Sequence, residues 1–128
     1  MANAKPPTPA ELEILHVLSE KGPCTVRQVL EELQGSKSSG YTTVLKLMQI
    51  MCEKGLVKRD ERMRSHVYSA VHKIEDTQRR LLDDLLNRAF SGSTRDLVIH
   101  ALEGKKASDE ELAEIQKYIR QMKAKKKS

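Results

Sequence analysis

Apolar residues recur at helical spacing through most of this chain and switch to strict alternation only between Leu56 and Val71. The first helical stretch opens on Thr8-Pro9-Ala10-Glu11, where Thr8 supplies a capping hydroxyl, Pro9 takes the first helical position and Glu11 is spaced to reach back to the cap. The pattern predicts a helix from about Pro9 to Lys21, with Leu12, Leu15 and Leu18 as its core stripe, Ile14 alongside, and Gly22-Pro23 as its stop. Thr25-Val26-Arg27-Gln28 repeats the capping pattern, and Val26, Val29, Leu30 and Leu33 continue at helical spacing toward Gly35. "GSKSSG" then reads as a polar turn.

A third helix is predicted from Tyr41 to Lys54, with Val44, Leu47, Met48 and Met51 on its core side and Thr42, Lys46, Gln49 and Glu53 on the other. After Gly55, "LVKRD" and "HVYSAV" alternate around "ERMR", which predicts two antiparallel strands and a loop. Three helices followed by a hairpin describe a winged helix-turn-helix. From about Ile74 the helical period returns, interrupted at "SGST", resumed from Asp96 to Glu103, and started again by a third capping box at Ser108-Asp109-Glu110-Glu111. The tail "KAKKKS" is expected to fray. The predicted fold is mainly α with a small β-hairpin: a winged-helix domain over residues 1–73, and a three-helix dimerisation domain with a basic tail over residues 74–128.

Composition sharpens this picture. Aromatic residues make up 3% of the 128 positions, with no Trp and one Phe, so Leu, Ile, Val and Met must fill the core, which favours helices over a sandwich. The three C-terminal helices are apolar on one face, and about 50 residues bury too small a fraction of their surface to stand alone. A second copy of the chain resolves this: each buried Leu is worth about 1.5 to 3 kcal/mol, which offsets the entropy of association. A homodimer with a two-fold axis is therefore expected, through Leu81, Leu82, Leu85, Leu86 and Phe90, then Leu97, Val98 and Leu102, then Leu112, Ile115 and Ile119.

A formal charge of +5 favours anionic partners in general and identifies none. Its placement says more, since five basic residues face Asp60 and Glu61 between Lys54 and Arg64. No stretch resembles a signal peptide or a membrane span, so a cytoplasmic protein with no membrane contact is expected. Cys24 and Cys52 form no C-x-x-C pair and read as free thiols. His66 and His72 would share a face on a continuous strand, but no thiol or carboxylate cluster completes a metal site, and His16, beside Leu15 and Val17 on the first helix, reads as a partly buried or surface side chain and not a ligand. Phosphate loops, zinc-protease motifs and activated nucleophiles are missing from the sequence, so no enzyme and no cofactor is expected.

The polar face of the third helix carries the candidate chemistry. A helix fits the major groove of double-stranded DNA, where hydroxyls, amides and amines read base edges, and Thr42, Thr43, Lys46 and Gln49 supply those groups. Ser38, Ser39 and Tyr41 precede or begin that helix and suit phosphate contacts, while Lys58, Arg59, Arg62 and Arg64 fall on the wing, beside the sugar-phosphate backbone. A winged helix can also serve only as a protein-interaction module. Lys46 together with the wing arginines argues for DNA, because docking faces more often carry apolar or aromatic anchors.

These segments match a known pattern. "PTPAELEILHVL", "CTVRQVLEEL", "GYTTVLKLMQIMCEKGLVKR" and "LVIHALEGKKASDEELAEIQKYI" together resemble the penicillinase-repressor (BlaI/MecI/CopY) family of winged-helix regulators over nearly the whole length. The resemblance implies a homodimeric repressor on a palindromic operator, controlling antibiotic-resistance or stress genes alongside a sensor protease, with Thr42, Thr43 and Lys46 facing the bases. In the best-known members the protease cuts an Asn-Phe bond; here His100-Ala101 occupies that place, and marks the candidate switch region. The clustered C-terminal cysteines of the copper-responsive branch are missing from this sequence.

Overall fold

The computed structural model describes residues 5–33, 40–104 and 107–127. Its elements run α1 (Pro9–Lys21), β1 (Cys24–Thr25), α2 (Val26–Leu33), α3 (Tyr41–Glu53), β2 (Val57–Asp60), β3 (Val67–Ala70), α4 (Ile74–Phe90), α5 (Thr94–Gly104) and α6 (Asp109–Lys127). All three capping boxes form. Thr8 Oγ1 accepts the Glu11 N–H at 3.2 Å while the Glu11 carboxylate accepts the Thr8 N–H at 2.9 Å. The same reciprocal pairs join Thr25 to Gln28 and Ser108 to Glu111. Each satisfies two backbone donors that a helix start leaves open.

The chain divides into two compact units, Met1–Leu82 and Asp83–Ser128. In the first, α1, α2 and α3 pack around Ile14, Val29, Val44, Met48 and Met51, closed on one side by Val57 and Tyr68 of the sheet. Gly55, at φ 81°, adopts the left-handed conformation that carries the chain from α3 into β2, where Leu56 N–H donates to Met51 O. The sheet has three strands in the order β1-β3-β2, all antiparallel, rather than the two of a simple hairpin. Cys24 faces Tyr68 and Thr25 faces Val67, so Thr25 both ends β1 and caps α2. Burial is the main influence pushing the Cys24 thiol above its ordinary range, and its Sγ donates to Gly22 O.

The core stripe of α1 also differs from the expected one. Leu12 is half-buried, and Glu11 lies deeper, 2% exposed, with Lys54 Nζ 2.7 Å from its Oε1. A carboxylate can occupy this position because the Thr8 N–H and the Lys54 ammonium supply the donors that burial demands.

In the second unit, Ser91 at φ 50° and Gly92 at φ 81° turn the chain out of α4, and Ser93 Oγ accepts the Asp96 N–H at the start of α5. The tail expected to fray is helical as far as Lys127. Ala and Lys are strong helix formers, and the lysines of the last turn complement the negative end of the helix dipole. No residue of α5 or α6 is buried in the single chain.

Candidate nucleic-acid interface

The third helix separates its two faces sharply. Val44, Met48 and Met51 are 0–1% exposed, whereas Thr42, Thr43, Lys46 and Gln49 all stand in solvent. Burial of the first set against α1 and α2 fixes the rotation of the helix, so the second set must point away from the core. Ile50, 41% exposed, lies one turn beyond Lys46 and adds an apolar group to the polar surface. Such a group suits a thymine methyl. Gly40 caps the start of α3 in an extended conformation without a side-chain hydrogen bond. Ser38 and Ser39 lie outside the described residues. Tyr41 is exposed at the first position, with the Arg27 guanidinium of α2 5.5 Å from its ring centre.

The wing holds its basic residues in two ways. Arg59 donates to Glu61 at 2.6–2.7 Å, and hydrogen bonds to Tyr68 first and Glu61 second raise its pKa. Arg62 donates from Nε and Nη2 to the Asp60 carboxylate at 3.0 and 2.8 Å. Hydrogen bonds from the Arg62 guanidinium, then from its backbone N–H, hold the Asp60 carboxyl at about 2. That value lies below the ordinary 3.8, so the pairing is complete above the ordinary value and is lost only as pH falls through about 2. Lys58 and Arg64 are exposed and make no ion pair among the described residues.

The winged-helix order, three helices and then a sheet-backed wing, is thus in place with its polar face free. Residues 7–121 match the family described as Penicillinase repressor. The chain belongs to this family. Among penicillinase-repressor relatives, the transcriptional regulator BlaI of Mycobacterium tuberculosis is 36% identical over 89 residues, which are 69% of this chain and 64% of that protein. The Bacillus licheniformis penicillinase repressor is 25% identical over 118 residues, 92% of each chain. The solved DNA-binding domain of the repressor BlaI superposes with a TM-score of 0.52 at 21% identity, covering 59% of this chain and 93% of that domain, and so shares its fold.

The apolar positions of the C-terminal half fall into two groups. Leu82, Leu85, Val98, Leu112, Ile115 and Ile119 are exposed in the single chain, while Leu81, Leu86, Phe90, Leu97 and Leu102 are half-buried. His100 and Ala101 are exposed within α5, and the His100 ring packs at 5.6 Å from Phe90. His66 and His72 flank β3 rather than sharing it, and among the described residues no group of three His, Cys, Asp or Glu is placed to hold a metal ion. No described helix is long and apolar enough to cross a membrane. That Arg27 lies over Tyr41 and Ile50 joins the exposed face of α3 was not legible in the sequence, because both placements depend on how α2 and α3 pack.

Proposed function

We propose that this protein is a non-enzymatic, cytoplasmic transcriptional repressor that binds double-stranded DNA at a palindromic operator as a homodimer. The observation that carries this reading is the face of α3: Thr42, Thr43, Lys46 and Gln49 exposed in one surface, directly behind a fully buried Val44-Met48-Met51 stripe. A helix held this rigidly presents hydroxyl, amine and amide groups to base edges at small entropic cost. Residues 1–73 do the reading, and residues 74–128 hold two copies together through the exposed apolar positions of α4, α5 and α6. A sensor protease is a second partner within this proposal. It would meet His100-Ala101 inside α5, where the helical backbone must first unwind to enter an extended protease cleft.

Lys46→Ala is expected to weaken binding to operator DNA, selected from a genomic pool by the protein itself, by about 1 to 3 kcal/mol, with little loss on mixed sequence. Anisotropy titrations on both duplexes check it; equal losses on both would remove base reading by this helix. Asp60→Asn is expected to release Arg62 and strengthen binding to any duplex by a few-fold at low salt, an effect erased by high salt. The same titration, repeated at several salt concentrations, reads it.

A further inference from the structure

Between the starts of α2 and α3 and the second wing strand lies an open cleft of about 360 Å³. Arg27, Arg64 and His66 line it together with the hydroxyl-bearing Thr25, Tyr41, Ser65 and Tyr68, and no carboxylate is among its described lining residues. This contrasts with the tip of the wing, where Arg59 and Arg62 each face an acid. Arg27 and Arg64 reach the cleft from separate elements and have no acidic partner among the described residues. Two guanidiniums brought to one concave site repel each other, and an anion between them reverses the sign of that interaction. Arg27 lies over the Tyr41 ring, a contact that positions the guanidinium while leaving its N–H donors for a further acceptor.

We infer that this cleft seats one phosphodiester of the DNA backbone, gripped from two sides by Arg27 and Arg64. The inference rests on the DNA-binding reading and adds to it a specific anchoring site beside the base-reading helix. Tyr41 and Leu45 of α3 form part of the cleft, so a duplex that receives α3 in its major groove passes its backbone by this opening.

The test uses the full chain and a mixed-sequence duplex of roughly 20 base pairs, two helical turns. Arg27→Gln is expected to lower the slope of log affinity against log salt by about one unit and to weaken binding about tenfold, equally on mixed and selected DNA. Arg27→Lys should restore the slope, since an ammonium still pairs with phosphate. Wild-type binding with an unchanged slope and affinity in Arg27→Gln overturns the cleft while leaving DNA binding intact. A wild-type chain that binds neither mixed nor selected duplex overturns the underlying reading, and the cleft with it.

Discussion

Replacing Leu85 by Asp is expected to convert the proposed dimer to monomers and to lower affinity for a two-half-site operator by roughly two to three orders of magnitude. Leu85 is 49% exposed in the single chain and Leu82, one turn before it, is 48% exposed, an unusual state for two neighbouring leucines on one helix face. A fully buried Leu contributes about 1.5 to 3 kcal/mol, and roughly half of that remains to be gained here at each such position when a second copy covers it. An aspartate at this site forfeits the gain and adds the desolvation of a charge. Sedimentation velocity reads the oligomeric state, and a duplex carrying one half-site separates loss of pairing from loss of fold: binding to it should be preserved. A dimer that survives Leu85→Asp with unchanged operator affinity would falsify this interface.

The second large effect lies in the N-terminal unit. Lys54→Met should destabilise it by about 3 kcal/mol, the low end of what breaking a buried ion pair costs, because the Lys54 side chain is itself 18% exposed and water can partly replace it. For a domain of about 60 to 100 residues that corresponds to a Tm lower by roughly 12 to 24 °C, read by far-UV circular dichroism. Glu11 is the reason: at 2% exposure its carboxylate cannot find water once the ammonium is gone. Adding Glu11→Leu to Lys54→Met should recover much of the loss by removing the stranded charge, although Thr8 then loses its reciprocal cap partner. An unchanged Tm in Lys54→Met would show that the pair adds nothing.

Local signals were readable from the chain in proportion to how local their physics is. The boxes at Thr8-Glu11, Thr25-Gln28 and Ser108-Glu111 place their hydrogen bonds three residues apart, and all three form as the spacing predicts. The buried stripe of α3 and its exposed opposite face follow from periodicity in the same way. What escaped depends on distant partners. Two residues, Cys24 and Thr25, cannot display an alternation, and become a strand only because β3 runs beside them. Glu11 reads as a cap residue, and its second role appears only when Lys54, 43 positions later, meets it. The sequence shows arginines on the wing; it does not show that Asp60 and Glu61 hold two of them, or that Arg27 and Arg64 share a cleft. Helical continuation to Lys127 was masked by the run of like charges, whose mutual repulsion the good helix propensity of Lys and Ala outweighs.

The carboxylates of the wing carry one more consequence. A phosphate that engages Arg59 or Arg62 meets a guanidinium already paired with Glu61 or Asp60, so the contact shares or exchanges an anion within the complex and is not a new neutralisation. Such swaps release few ions from the duplex, and the number of charges inferred from ionic-strength titrations will fall short of the number of cations that touch the backbone.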